Sequence, residues 1–365
     1  METRISMRSL LAEAVKLNAS DIHINADVSP AFRIDGDLNY VRNVSPLNSA
    51  SVRKLAEEIL LPEQLEELDR ERELDFSFSF SELGYDARFR GNCFMERGRL
   101  CIALRLIPFR VRSLDQLMLP SKLKEVAHME RGLFLVTGPT GHGKSTTLAA
   151  IISEINRTRR CHIVTIEDPI EYLFENAQSI VSQREVGSDT KSFTEALKRV
   201  LRQDPDVIMI GEMRDLETIA AAITAAETGH LVLATLHTPD AAQTIDRIVD
   251  VFPAHQQQQI RLQVSNILIG ICSQQLLPVT KGGRIVATEL LWATPAVRNC
   301  IREAKVGQMR TAMQTGKAAG MHTMDQDLAR LVKEGIISFD MARSYAFDVK
   351  DFERLVFEAG DKASV

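Results

Sequence analysis

The sequence predicts an α/β protein in which a parallel sheet covered by helices follows a smaller α+β unit and precedes a helical region. Three observations predict it. Short apolar runs at 133–136, 162–166, 207–210 and 231–235 alternate with helix-forming stretches, as strands buried on both faces of a parallel sheet do. Before about Pro108, helical stretches and strand-like runs joined by short turns make a compact α+β unit. From about 294 to 359 the pattern is helical, with breaks at Gly316, Gly320 and Gly335.

Taken in order, residues 4–18 space Ile5, Leu10, Leu11, Ala14, Val15 and Leu17 as an amphipathic helix does. Asp21-Ile22-His23-Ile24 alternates like a half-buried strand. Phe32-Arg33-Ile34 and Leu38-Asn39-Tyr40-Val41 flank Asp35-Gly36, a hairpin signal. Helical stretches at about 48–61 and 63–72 are separated by Pro62, and strand-like runs follow at 74–80, 87–96 and 100–107, the last pair turning at Gly98. The domains expected are 1–110 (α+β), a linker at 111–115 after Arg110, an α/β core at 116–292, and a helical region at 293–365. Within the core, the helix at about 192–203 opens with Ser192-x-x-Glu195, a capping box, and carries Phe193, Leu197, Val200 and Leu201 on its apolar face. Residues 240–251 read as another amphipathic helix, Gln256 to Gln259 as a solvated loop or helix start, and Gly282-Gly283 as the turn of a hairpin returning through 284–291.

At 365 residues the chain is long for one hydrophobic core, and two domains are expected. A formal charge of -5 argues against a nonspecific nucleic-acid binder. The five cysteines form no C-x-x-C pair, so neither a zinc knuckle nor a disulfide framework is expected, and a reducing cytoplasm is. Arg4, Arg8, Glu13 and Lys16 interrupt any signal-peptide core, and no stretch approaches the roughly 20 apolar residues of a membrane span.

The chemistry is concentrated at strand ends. Gly138-Pro139-Thr140-Gly141-His142-Gly143-Lys144-Ser145 fits the phosphate-binding loop, with an apolar strand before it and a helix-forming run from Thr146 to Asn156 after it. Its glycines let backbone N–H groups curl around phosphate oxygens at a helix N-terminus; Lys144 would reach the β- and γ-phosphates of ATP, and Ser145 would ligate Mg²⁺. Hydrolysis also needs a group that orients water and positive charge for the transition state. Val207 to Ile210, then Gly211, delivers Glu212 at a strand's C-terminal end, within reach of the water or the Mg²⁺ beside Ser145. Thr165-Ile166-Glu167-Asp168-Pro169-Ile170-Glu171 sets three carboxylates after another strand, to hold Mg²⁺ through water, to position the nucleophile, or merely to form an acidic turn. His237 follows the strand at 231–235 on the nucleotide side, and His230 precedes it at the opposite end.

These segments, in this order, resemble the PilT-like type IV pilus retraction ATPases of the type II/IV secretion ATPase superfamily. The motifs are GPTGHGKSTTLA, TIEDPIEY, DPDVIMIGEMRDLET and TAAETGHLVLATLHTPDAAQTIDRIVDVFP. The resemblance runs from Ser20 to about Leu331. It implies a PAS-like N-terminal domain and a RecA-like P-loop NTPase core in a homohexamer that is cytoplasmic and peripheral at the inner membrane. Nucleotide would lie between the two domains. Glu212 and Glu167 would act on the hydrolytic water, and His237 would sense the γ-phosphate. Arg105 and Arg90, then Arg110, would supply cationic charge. An inner-membrane platform protein is the partner implied, with a paralogous pilus ATPase as a further one.

Two segments depart from the family pattern. His142 replaces the usual Ser; its side chain is expected to point outward, leaving activity intact with a mild pH sensitivity. Ala296-Val297-Arg298-Asn299-Cys300-Ile301-Arg302-Glu303 matches a C-terminal motif needed for retraction, with Val and Cys for Ile and Leu. The alternatives are an accessory retraction paralogue or a secretion, conjugation or pilus-assembly ATPase; extension relatives carry a longer N-terminal region and a four-cysteine site. A nucleotide-regulated scaffold and a RecA-type nucleic-acid motor are the readings from other classes. Retention of Lys144, Ser145, Glu167, Glu212 and both histidines weighs against the first, and net acidity against the second.

Overall fold

The computed structural model describes residues 5–34, 36–107, 111–280 and 282–358, apart from the side chain of Asp86. The chain divides into two compact units, Met1–Arg110 with Glu171–Leu173, and Val111–Ile170 with Phe174–Val365.

The first unit contains α1 (Met7–Lys16), β1 (Asp21–Ile24), β2 (Ala31–Ile34), β3 (Asp37–Tyr40), α2 (Ser49–Glu57), α3 (Pro62–Glu71), β4 (Glu73–Glu82), β5 (Tyr85–Glu96) and β6 (Arg99–Ile107). Its six strands form an antiparallel sheet in the order β3-β2-β1-β6-β5-β4. Alternation along β1 buries Ile22 and Ile24, and these join Leu10 and Leu11 of α1, Val52 and Leu55 of α2, and Phe89 of β5 in one core. Leu17 does not join it; it follows the last turn of α1 and is 43% exposed. Pro62 is the first residue of α3 rather than a separator, because its missing N–H costs nothing at that position. In the hairpin, Ile34 pairs with Asp37, and Asp35 lies outside the described residues.

The second unit contains β7 (Gly132–Thr137), α4 (Lys144–Thr158), β8 (His162–Glu167), β9 (Ile180–Glu185), α5 (Phe193–Val200), β10 (Val207–Ile210), α6 (Leu216–Glu227) and β11 (Leu231–Leu236). It continues through α7 (Ala241–Asp250), α8 (Ala254–Ile267), β12 (Leu268–Pro278), β13 (Arg284–Trp292), α9 (Pro295–Arg302), α10 (Met309–Thr315), α11 (Met324–Lys333), α12 (Phe339–Tyr345) and α13 (Val349–Phe357). The sheet order is β13-β12-β7-β11-β10-β8-β9, parallel throughout except for the β12–β13 hairpin. This is the RecA-like core. The apolar runs that announced β7, β10 and β11 are buried along their whole length, and α4 and α6 pack on β7 and β11.

The glutamine tract lies near the start of α8 and is largely exposed, as the reading of a solvated helix start expected. Two elements differ from expectation. β9 carries polar residues along a partly buried edge, so no apolar run announced it. Leu201 lies just beyond α5 and is 37% exposed, so the apolar face of that helix ends at Val200. The C-terminal helices build a core of their own, in which Leu328, Leu331 and Phe352 pack on Leu277, Ile285 and Ala287 of the hairpin.

Candidate active site

Strand order assembles the site. β7, β11, β10 and β8 are successive parallel neighbours, so their C-terminal ends bring the glycine loop, His237, Glu212 and Glu167 to one edge of the sheet. That edge is where open α/β sheets bind ligands.

The loop leaves β7 at Gly138, where φ is +139° and a Cβ would come within 2.3 Å of the Gln274 carbonyl oxygen on β12. Only glycine fits that approach. Gly141 and Gly143 also have positive φ, and Gly143 is the N-cap of α4 without a side chain to cap it. A helix N-terminus that no side chain caps suits an anion. Lys144 is buried; its Nζ donates to the carbonyls of Gly138 at 2.8 Å and Pro139 at 3.0 Å, which aims it along the inside of the loop. Pro139, Thr140 and Gly141 are exposed along the loop, while Ser145 and Thr146 are partly buried in the first turn of α4.

His237 joins the loop to the acid. Its Nδ1 lies 3.3 Å from Lys144 Nζ and 3.3 Å from Thr140 Oγ1. Its Nε2 lies 2.8 Å from Glu212 Oε1. An ammonium only donates, so Nδ1 accepts from Lys144, and Nε2 is the ring nitrogen that faces the Glu212 carboxylate. The other oxygen of Glu212 accepts from Arg214 at 2.7 Å. Burial pushes the Glu212 carboxyl up, but the hydrogen bonds from Arg214 and His237 and the charge of Arg214 more than offset that and hold it below the usual carboxylate range. Glu167 is the last residue of β8 and is 7% exposed; its Oε1 accepts from Thr165 Oγ1 at 2.7 Å and Gln183 Nε2 at 3.2 Å. Gly211 donates its N–H to Ile166 at 2.8 Å, which holds the backbone before Glu212 against that preceding Glu167.

His230 precedes β11, at the far end from His237, and its Nδ1 is 2.9 Å from the Ala225 carbonyl near the end of α6. The structure therefore does not place it with the glycine loop. Arg90 and Arg105 are cross-strand partners on β5 and β6 of the first unit. Arg105 donates to Asp21 at 2.8 Å with its side chain 70% exposed, and Arg90 is exposed with no ion-pair partner among the described residues. Arg110 lies outside the described residues.

The His142 side chain does not point outward. Its Nδ1 accepts the Leu276 N–H at 3.2 Å, and Gln274 Nε2 donates to its carbonyl at 2.7 Å, fastening the loop to β12. A β12 bonded to β7 in register, with Ser273 opposite Thr137, brings these residues beside the loop. Sequence reasoning missed Arg214, Gln274 and Leu276. Arg214, two residues past Glu212, was visible as a cation; that it folds back onto the acid was not.

The model of the family described as "Type II/IV secretion system protein" matches residues 2–344. The chain is 47% identical over 342 residues to the type IV pilus retraction ATPase PilT of Pseudomonas aeruginosa, covering 94% of this chain and 98% of that one. It is 46% identical over 342 residues to a twitching motility protein of Neisseria gonorrhoeae, covering 93% and 90%. A crystal structure described as the pilus retraction motor PilT with bound ADP superposes with a TM-score of 0.88 at 48% identity, over 96% of this chain and 99% of that one. With the site assembled on this sheet and nearly the whole length matched, the chain belongs to the type II/IV secretion system protein family.

Proposed function

We propose that this protein is an ATP-hydrolysing motor that drives type IV pilus retraction. The observation that carries the reading is the continuous contact from Lys144 through His237 to Glu212 at the ends of adjacent strands. It joins a phosphate-binding cation to a carboxylate suited to orient water, which is what hydrolysis rather than binding alone requires. The near full-length relatives named for retraction and twitching motility support the pilus as the load.

Backbone N–H groups from Gly141 to Thr146 would bind the phosphates, and Lys144 would neutralise the β- and γ-oxygens. Among the described residues no group of three His, Cys, Asp or Glu side chains could hold a metal by itself. Ser145 and an acid from Glu212 or Glu167 would therefore share Mg²⁺ with phosphate oxygens, as that ion commonly does. Bound there, Mg²⁺ would neutralise charge developing on the phosphates. Glu212 would orient the attacking water, Glu167 would help from its bonded position, and His237 would register the γ-phosphate beside Thr140. Arg105 and Arg90 are assigned the role of transition-state cations; Arg105 would have to share or leave Asp21 to serve. A homohexamer acting on an inner-membrane platform protein is the assembly proposed. Among the described residues no helix is long and apolar enough to cross a membrane. A peripheral position at that membrane is part of the proposal.

The decisive experiment is Lys144→Ala and Glu212→Ala in the host, scored for twitching and surface pili. Loss of twitching with abundant pili is expected; loss of pili would refute retraction in favour of assembly. In purified protein, Glu212→Gln should keep ATP binding while hydrolysis falls by about 100-fold or more.

A further inference from the structure

Gln274 of β12 is a buried amide beside the glycine loop, and packing alone does not account for it. It is 1% exposed. Its Nε2 donates to the His142 carbonyl at 2.7 Å, and a Cβ at Gly143 would lie 3.4 Å from the same nitrogen. Its Oε1 is buried and has no hydrogen-bond partner among the described residues. The reverse orientation of the amide would set Oε1 against the His142 carbonyl, two acceptors face to face, so Nε2 is assigned to that bond. A buried acceptor without a partner lowers stability, and an apolar side chain of the same length would fill the space without that loss. What the amide supplies is one donor, aimed at one peptide group.

That peptide group joins His142 to Gly143 and is trans. In a trans peptide the carbonyl and the following N–H share one plane and point in opposite directions. Holding the His142 carbonyl on β12 therefore turns the Gly143 N–H away from β12. Gly143 is the N-cap of α4, with φ +81° and no side chain to cap the helix. A carbonyl oxygen facing a phosphate oxygen repels it, whereas an N–H donates to it, so the orientation of this one plane sets the sign of the contact. The strand that carries the amide is fixed at the root of the loop. Thr137 Oγ1 donates to Ser273 Oγ at 2.9 Å, both residues being buried and opposite each other on β7 and β12. A second tie, from Leu276 N–H to His142 Nδ1 at 3.2 Å, holds the side chain of His142 and not the plane of its peptide.

We propose that Gln274 is a positioning residue for phosphate binding. By holding the His142 carbonyl it aims the Gly143 N–H at the phosphates, and without it this peptide is free to turn its carbonyl toward them. This rests on the reading of the glycine loop as an ATP site.

The test is fluorescence titration of the full chain at pH 8 with methylanthraniloyl-labelled ADP and Mg²⁺, beside melting temperatures measured without nucleotide. Gln274→Met and Gln274→Leu remove the donor and the unpartnered acceptor together. Both should melt no lower than wild type, yet bind labelled ADP about tenfold more weakly, the contribution of one hydrogen bond to a charged group. His142→Ser keeps the carbonyl and its bond to Gln274, and should stay within about threefold of wild type. A glutamine that served only packing would show the reverse, a lower melting temperature with affinity kept. The proposal is overturned if both glutamine variants bind within about twofold of wild type, if affinity falls only where the melting temperature falls too, or if His142→Ser loses as much as they do. No saturable binding by wild type would overturn the ATP-site reading, and the positioning role with it.

Discussion

At Glu212 a histidine and an arginine converge on one carboxylate, and at His142 an imidazole holds the glycine loop to β12. The two sites respond to acid differently. Glu212 stays ionised because Arg214 and His237 favour its charged form despite burial. His142 is pushed below the ordinary imidazole value by burial and then by the Lys144 charge. A depressed histidine loses its contribution as pH falls through the folded value, and retains it above the unfolded value of about 6.5. Protonation there would remove the acceptor for Leu276 N–H and add a cation beside Lys144. We expect the KM for ATP of wild type and His142→Ser to run parallel from pH 8 to about 6.5 and to diverge toward pH 5.5, with wild type weakening more. Steady-state kinetics over that range checks this; a constant ratio down to pH 5.5 refutes it.

Among the elements, α9 explains the C-terminal motif in packing terms. Thr294 caps its N-terminus, and Val297, Cys300 and Ile301 face the core, so the substitutions of Val and Cys are accommodated there. Arg298 donates to the carbonyls of Ser265, Asn266 and Leu268, closing the end of α8 and the start of β12. The last carbonyls of a helix lack partners within it, and a guanidinium can fork across several. Arg298→Ala should destabilise the second unit by about 2 kcal/mol, and Arg298→Lys should recover only part of that, since an ammonium lacks the planar fork. Urea midpoints would measure both, with fluorescent nucleotide binding expected to stay unchanged.

For the whole molecule, each unit carries a core of its own: Phe89 is fully buried in the first, and Phe134 in the second. Phe89→Ala should remove about 3–5 kcal/mol from the first unit. Calorimetry should then show a lowered first-unit transition beside an unmoved second one; equal shifts in both would show a single cooperative unit.

The fold class was legible in the sequence because both kinds of sheet write their period into local composition. Uninterrupted apolar runs marked β7, β10 and β11, and alternation marked β1. The glycine loop was legible because its backbone geometry admits few residues, Gly138 above all. β9 was not, since a strand paired on one side and partly wet needs no apolar pattern. Nor were the turning of His142 onto β12, the return of Arg214 to Glu212, or the bond from the start of α7 to Glu289. Those contacts join residues that the sequence sets apart or leaves free to point either way. Residue types and spacing determined which groups could bind phosphate and activate water. Strand order and burial decided which of them meet, because only the folded sheet brings its strand ends to one edge and excludes the water that would otherwise satisfy each charge separately.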